Sequence, residues 1–213
     1  SVAVAIGNSA DKLIENITPK INNIKVGPYN DESSDMGPVV SKDAYERING
    51  LIESGVEEGA NLIVDRRNIK LQGYENGYFI GPCLFDNVKD NMKIYKEEIF
   101  GPVLSIVRAK NYEEGLQLVK DNPYGNGCSI FTRDGDTARN FSSEANIGMV
   151  GVNIPIPVPV AYFSFGGWKN SIFGGHNAYG MEAIRFYTHT KTITSKWPEG
   201  IRSGAQFTMP TLG

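Results

Sequence analysis

The chain has 213 residues, of which 40% are hydrophobic, and its 21 Lys and Arg against 24 Asp and Glu give a net charge of -3 at pH 7. This length can bury a core without disulfide or metal staples. The balanced charge, with no basic stripe, argues against nucleic acid or an anionic membrane surface as a partner. Small molecules or protein partners fit better.

Targeting signals and cysteine usage indicate the cellular compartment. No apolar run is long enough to span a bilayer, and the first residues lack the basic start and cleavage site of a signal peptide. Cys83 and Cys128 lie far apart, so a disulfide framework is not indicated and a reducing interior is natural. We expect a cytoplasmic protein, or a mitochondrial matrix protein if the source is a eukaryote.

The first elements in chain order are a strand and two helices. The apolar run 1 to 7 predicts a strand with no polar lead-in, which suggests a truncated chain. Ser9 can cap the first helix, and Pro19 is expected to kink or split it. Ser41 starts a second helix after a long polar loop. Its apolar positions fall on one face: Tyr45, Ile48, Leu51, Ile52 and Val56.

The middle of the chain alternates between strand and helix patterns. Strands are predicted at 60–65, 77–88, 101–109, 125–132 and 148–153, with helices at 111–120 and 135–145. Such alternation is typical of a mostly parallel sheet covered by helices on both faces. We therefore predict a Rossmann-like α/β fold.

The character of the sequence changes at Asn153. Prolines, aromatics and glycines fill 153–175 without periodicity, which predicts a shaped loop. A short helix is predicted at 178–184. The threonine-rich stretch 185–197 alternates like an exposed or shared strand, and the tail 198–213 is expected to be poorly ordered unless something holds it.

The stretch "KEEIFGPVLS" at 96–105 is the first candidate for chemistry. In open α/β sheets the ligand-binding loops lie at the ends of strands. A carboxylate there can accept hydrogen bonds from two vicinal ribose hydroxyls while a neighbouring aromatic packs on a flat ring. The alternative is an acidic pair at a helix end, with Phe100 filling the core.

Several segments together resemble the aldehyde dehydrogenase superfamily. "KEEIFGPVLS" is similar to its nucleotide-contacting motif. Four other landmarks occur in the family's order: "DMGPVVS", "GYFIGPCLFDNV", "FSFGGWKNS" and "YTHTKTIT". The resemblance covers the chain to about Trp197. It implies an incomplete catalytic domain over 1–184, an oligomerisation strand over 185–197 that forms a homo-dimer or tetramer, and a tail over 198–213.

Within the superfamily, "LQGYENGYFIGP" and the proline-laced loop look most like the methylmalonate-semialdehyde dehydrogenases. These enzymes oxidise methylmalonate or malonate semialdehyde with NAD and coenzyme A, releasing CO2 and giving propionyl-CoA or acetyl-CoA. The resemblance implies that Glu98 holds the nicotinamide-side ribose and that Phe100 packs beside it. Phe163 and Phe165 are implied as substrate-pocket walls, the alternative being plain core aromatics.

The family's nucleophilic cysteine is not found among the residues of this chain. The resemblance places it just upstream of Ser1, with the rest of the nucleotide-binding region, so the chain alone is expected to be inactive. Cys83 and Cys128 are outside that motif and are interpreted as small buried residues. Ser164 stands where relatives usually have Pro, which the semialdehyde subgroup tolerates.

Other functions have less support from the residues present. His176 and His189 form no metal-ligand spacing with the cysteines, and a hydrolase built on Cys128 and His176 has no motif. The glycines of "FGGWKNSIFGG" form no P-loop. Lys169 is interpreted as solvated. Two functional rivals stay open: an aldehyde dehydrogenase that does not acylate coenzyme A, and a purely structural, oligomer-forming segment.

Overall fold

The computed structural model describes residues 1–197, and the predicted tail at 198–213 lies outside the described residues. Its strands and helices in chain order are β1 (Val2–Ile6), α1 (Ser9–Asn23), α2 (Lys42–Glu57), β2 (Asn61–Val64), β3 (Cys83–Asp86), α3 (Lys93–Lys96), β4 (Val103–Ala109), α4 (Tyr112–Asp121), β5 (Tyr124–Gly125), β6 (Gly127–Ile130), α5 (Gly135–Glu144), β7 (Met149–Val152), β8 (Trp168–Lys169) and α6 (Glu182–Tyr187). They divide between two compact units. The first contains 1–123 and 132–146, and the second contains 124–131 and the residues from 147 onward.

The first unit is built on a four-stranded sheet in the order β1-β4-β3-β2. β1 and β3 both run parallel to the central strand β4, and β2 pairs antiparallel with β3 at one edge. Parallel neighbours require crossover connections, which the helices provide. The predicted mostly parallel α/β sheet is confirmed.

Two hydrophobic clusters cover the two faces of this sheet. Along β3 the side chains alternate, so that Cys83 and Phe85 face one cluster and Leu84 faces the other. The α2 cluster includes Ile48, Leu51, Ile52, Val103 and Val107. The α1 cluster includes Ala5, Ile21, Val64 and Ile106. Helices therefore lie on both faces, as the sequence pattern predicts.

Arg108 connects the buried carboxylate of Asp86 in the sheet to α1. Asp86 is 4% exposed, and Arg108 on the neighbouring strand donates from Nε and Nη2 to its two carboxylate oxygens, each at 2.9 Å. Arg108 also binds Asp11 of α1 at 2.6 Å. Burial alone would raise the pKa of Asp86, but the Arg108 guanidinium and a backbone hydrogen bond from Asn87 lower it below its ordinary value.

The first unit departs from the sequence prediction at several places. Asn8, not Ser9, flanks α1, and no side-chain cap forms there. Pro19 does not divide α1, whose apolar face packs against the sheet along its length. The strand predicted at 77–88 is paired only over Cys83–Asp86, because Pro82 has no N–H to continue the ladder.

The second unit contains two short strand pairs. β6 and β7 pair in parallel, and β5 pairs antiparallel with β8, a strand that the sequence pattern did not predict. The helix predicted at 178–184 lies at Glu182–Tyr187, so residues 185–187 are helical and the prediction of a strand beginning there is wrong. Residues 188–197 form no strand within the described chain. A strand shared between subunits needs a second chain to pair with, so oligomerisation through this stretch stays a prediction.

Candidate functional site

The turn between α3 and β4, residues 97–102, carries the first candidate side chains and is called the Glu98 turn below. α3 ends at Lys96, and the Glu97 N–H still donates to the Lys93 carbonyl at 2.9 Å. Ile99 is 3% exposed and anchors the turn in the α2 cluster. Phe100 is instead 78% exposed and adopts a φ of 49°, a left-handed conformation that is uncommon for a bulky residue.

Contacts with α2 and β3 fix the Glu98 turn on both sides. Arg47 of α2 donates to the carbonyls of Glu98 and Ile99, at 3.1 and 2.8 Å. Gly101 lies so close to α2 that a Cβ at this position would be 2.8 Å from Cδ1 of Ile48. The Cys83 N–H donates to the Pro102 carbonyl at 2.8 Å and joins the end of the turn to the sheet.

The structure distinguishes the two adjacent carboxylates of the turn. Glu97 lies 4.0 Å from the ammonium group of Lys93, in an exposed pair one helical turn away. Glu98 is exposed, and within residues 1–197 its carboxylate forms no hydrogen bond or ion pair. An exposed carboxylate beside an exposed aromatic ring can bind a ligand that carries hydroxyls next to a flat ring. The interpretation of Phe100 as a core residue does not fit its exposure.

The second unit carries the other predicted pair of residues, Phe163 and Phe165. Phe163 is 54% exposed, with its ring centroid 4.6 Å from that of Tyr162. Phe165 is half-buried and stacks on Tyr179, with centroids 4.6 Å apart and ring planes 15° apart. Phe163 is thus not a core residue of this chain, whereas Phe165 forms part of a local aromatic stack.

Ser164, between the two phenylalanines, connects this loop to the start of α6. Its hydroxyl donates to the Tyr179 carbonyl at 3.0 Å and accepts from the Glu182 N–H at 3.2 Å. A proline, the residue that the family resemblance leads us to expect at this position, has no side-chain hydroxyl for either bond. Gly180, with a φ of 60°, lies directly beside the Ser164 backbone, where a Cβ would be 2.5 Å from its nitrogen.

Neither cysteine is placed for nucleophilic chemistry. Cys83 is 1% exposed on β3, and burial raises the pKa of its thiol. Cys128 is partly exposed on β6, and burial raises its pKa as well. A raised pKa lowers the thiolate fraction at neutral pH, and the thiolate is the reactive form. Cys83 is the small buried residue that the sequence predicts, while Cys128 is less buried than predicted.

Arg47 is the functional candidate that the sequence does not reveal. It lies 51 residues before Glu98, on a helix whose pattern shows only an apolar face and a polar face. The fold alone brings its guanidinium to the Glu98 turn. Arg47 could have been selected only with the knowledge that Ile48, its neighbour in the sequence, packs against Gly101.

Two further kinds of feature, a metal site and a membrane-spanning helix, are not found among residues 1–197. Among residues 1–197 there is no group of three or more His, Cys, Asp or Glu side chains arranged to hold a metal ion. None of the helices in that range has the length and apolar character needed to cross a membrane. His176 instead pairs with Glu182 at 3.0 Å.

The family model of the aldehyde dehydrogenase family matches residues 2–193. The chain therefore belongs to the aldehyde dehydrogenase family, and the predicted membership is confirmed.

Several of the similar proteins are named as semialdehyde dehydrogenases. The malonate-semialdehyde dehydrogenase of Pseudomonas aeruginosa is 52% identical over 100% of the chain and 43% of its own length. A mitochondrial, acylating methylmalonate-semialdehyde/malonate-semialdehyde dehydrogenase of Bos taurus is 46% identical over 100% of the chain and 40% of its own length. A Sinorhizobium meliloti crystal structure, provisionally assigned as a methylmalonate-semialdehyde dehydrogenase and complexed with NAD, is 61% identical with a TM-score of 0.90, over 95% of the chain and 42% of its own. The chain thus spans about two fifths of the length of the relatives it matches.

Proposed function

We propose that this chain is part of an NAD-dependent, coenzyme A-acylating dehydrogenase of malonate or methylmalonate semialdehyde. The observation that carries the proposal is the Glu98 turn, which presents a carboxylate without a partner among residues 1–197 and an exposed aromatic ring, from a backbone held by α2. The 52% identity to a malonate-semialdehyde dehydrogenase supports the choice of aldehyde.

The residues of the turn fit the nicotinamide-ribose half of NAD. Glu98 is free to accept hydrogen bonds from two vicinal hydroxyls, because within residues 1–197 no side chain neutralises it. Phe100, two residues further along the turn, offers an exposed ring face. NAD, when bound, accepts the hydride that leaves the aldehyde carbon. The turn's part is to bind and orient the dinucleotide for that transfer.

Phe163 and Phe165 are proposed to form apolar walls of the aldehyde pocket. Their rings can pack against the carbon skeleton of a small acyl group and exclude water from it. Excluding water matters, because the proposed cysteine thioester must pass its acyl group to the coenzyme A thiol rather than be hydrolysed. In this scheme the carboxylate carbon of the substrate leaves as CO2, which gives acetyl-CoA or propionyl-CoA.

The nucleophile is proposed to come from the part of the protein that this chain does not span. A thiolate attacks the aldehyde carbon and later leaves from the thioester, so it must form readily at neutral pH. Cys83 and Cys128 do not meet this requirement, because burial raises the pKa of both. The chain by itself is therefore proposed to be inactive.

Assembly and location are proposed on the same basis. We propose a homo-oligomer, a dimer or tetramer, formed through residues 188–197. The cytoplasm is the proposed location, or the mitochondrial matrix for a eukaryotic source, since the Bos taurus relative is named as mitochondrial. Light scattering on the full-length protein with and without this segment tests the assembly.

The reaction is tested by NADH formation from malonate semialdehyde, with and without coenzyme A, in the full-length protein that contains this sequence. We expect turnover that requires coenzyme A and yields acetyl-CoA, identified by mass spectrometry. Turnover without coenzyme A, giving a free acid, would favour the non-acylating alternative. Turnover by residues 1–213 alone would mean that Cys83 or Cys128 is the nucleophile and would contradict the proposal.

The site assignment is tested with a matched pair of variants. Glu98→Ala is expected to raise the KM for NAD roughly tenfold, because the loss of charge-assisted hydrogen bonds costs about 1.5 kcal/mol. Glu97→Ala removes the neighbouring carboxylate, whose one ion pair among the described residues is with Lys93 at the surface, and is expected to leave that KM unchanged. Equal effects of the two variants would contradict the assignment of Glu98.

A further inference from the structure

We propose that Arg47 is a positioning residue of the nucleotide site, because it holds the Glu98 turn in the conformation that presents Glu98 and Phe100. The inference rests on the proposed function of that turn. Arg47 itself is assigned no contact with NAD; it acts through the backbone of the turn.

The geometry is that of a fork on two consecutive carbonyls. Nη1 of Arg47 donates to the Glu98 carbonyl at 3.1 Å, and Nη2 donates to the Ile99 carbonyl at 2.8 Å. These carbonyls belong to the peptide groups on either side of Ile99. Binding both of them fixes the orientation of the peptide that leads into Phe100.

The conformation held in this way is one that the chain does not favour by itself. Phe100 has a φ of 49°, where its Cβ crowds the backbone, and its ring is 78% exposed, so burial of the ring does not compensate. Contacts around Phe100 must therefore maintain the turn. Besides the bond between Cys83 and Pro102, these contacts are the burial of Ile99, the packing of Ile48 against Gly101, and the Arg47 fork.

Arg47 and Ile48 are adjacent on α2, so a single helix contacts the turn on both sides of Phe100. The helix is well fixed: Ser41 caps it by accepting from the Ala44 N–H, and Ile48, Leu51 and Ile52 are buried. A planar guanidinium suits this role better than an ammonium group, since its rigid donors match two carbonyls at once. Lysine at position 47 is expected to keep one of the two bonds.

The test measures the Kd for NAD in the full-length protein by calorimetry, for four forms that make a double-mutant cycle. Glu98→Ala is expected to weaken binding roughly tenfold, and Arg47→Ala about fivefold. If Arg47 acts through the turn, adding Arg47→Ala to Glu98→Ala weakens binding by clearly less than fivefold, because only the Phe100 ring is left to be positioned. Arg47→Lys is expected to fall between wild type and Arg47→Ala.

Glu46→Ala is the matched control. Glu46 precedes Arg47 on the same helix and, within the described part of the chain, pairs only with Lys42, at 3.4 Å between exposed side chains, so its loss is expected to leave the Kd unchanged. Thermal unfolding of each variant separates effects on folding from effects on binding. If Arg47→Ala does not fold, Arg47→Lys and its double variant with Glu98→Ala supply the cycle.

The outcomes separate this inference from the proposed function. An unchanged Kd in Glu98→Ala would overturn the proposed role of the turn and, with it, the role of Arg47. A weakened Glu98→Ala together with an unchanged Arg47→Ala would overturn the positioning role alone. A double variant weakened about fiftyfold, the product of the two single effects, would likewise show that Arg47 acts independently of Glu98.

Discussion

Gly101 lies against α2, and a single methyl group there tests whether the Glu98 turn depends on that contact. A Cβ at this position would lie 2.8, 3.0 and 3.1 Å from three side-chain carbons of Ile48. Carbon atoms prefer separations of about 3.5–4.0 Å, so the overlap with the closest atom is roughly an ångström. Gly101 is not among the glycines with positive φ, so the effect of Gly101→Ala is one of packing.

The expected cost follows from which side of the contact can move. Ile48 is 0% exposed and is enclosed by the α2 cluster, whereas the turn lies at the surface. Overpacking a well-filled core costs about 2 kcal/mol. Because the turn is the side that can yield, we expect part of that cost to appear as a displaced Glu98 turn. The KM for NAD should rise about fivefold and the free energy of unfolding should fall by about 1 kcal/mol.

The assay compares Gly101→Ala with Gly50→Ala in the full-length protein by NAD kinetics and urea unfolding. Gly50 lies inside α2 with nothing within 4 Å of a built Cβ, so alanine there should stabilise the protein by about 0.5–1 kcal/mol and leave the KM unchanged. If Gly101→Ala matches wild type in both measurements, the contact with Ile48 does not fix the turn and the reasoning fails.

The remaining predictions concern the buried carboxylate and the thiols. Arg108→Met should destabilise the protein by about 3 kcal/mol at pH 7, because it leaves Asp86 buried without its partner, whereas Asp11→Asn should cost no more than about 0.5 kcal/mol. The Asp86 pKa is lowered in the folded state, so its contribution is present above the unfolded carboxyl pKa of about 4 and is lost as pH falls through the lower folded pKa. In Arg108→Met the buried Asp86 is expected to take up a proton at higher pH than in the wild type. The free energies of unfolding of variant and wild type, measured with urea, should therefore approach each other as the pH falls towards about 4.5. A difference that stays constant would contradict the assignment. Alkylation mapped by mass spectrometry should be slow at Cys83 and Cys128 near neutral pH and should accelerate only above the ordinary thiol pKa of about 8.5, while fast labelling of either would refute its raised pKa.

Much of the first unit follows from local patterns. The 3.6-residue spacing of apolar positions in α2 and the alternation of strands with helices predict the layered sheet that is observed. The first part of the strand predicted at 77–88 is not observed, because its apolar residues are buried without pairing to a neighbouring strand. Phe79 and Ile80 show this: both are buried, and neither belongs to a strand.

Only part of the candidate site can be predicted from the sequence. Glu98 and Phe100 can be selected by their motif, but adjacent glutamates look alike until the fold pairs Glu97 with Lys93. The role proposed for Arg47 depends on a contact across 51 residues, which no local period encodes. Residues 185–187 belong to a stretch that alternates like a strand, but they are helical. Alternation over a few residues does not exclude a helical turn.

The most direct measurement is the KM for NAD in coenzyme A-dependent oxidation of malonate semialdehyde, compared between Glu98→Ala and Glu97→Ala of the full-length protein. We expect a rise of roughly tenfold for Glu98→Ala, with acetyl-CoA as product, and no change for Glu97→Ala. An unchanged KM in Glu98→Ala would contradict the assignment of the Glu98 turn as the nicotinamide-ribose site.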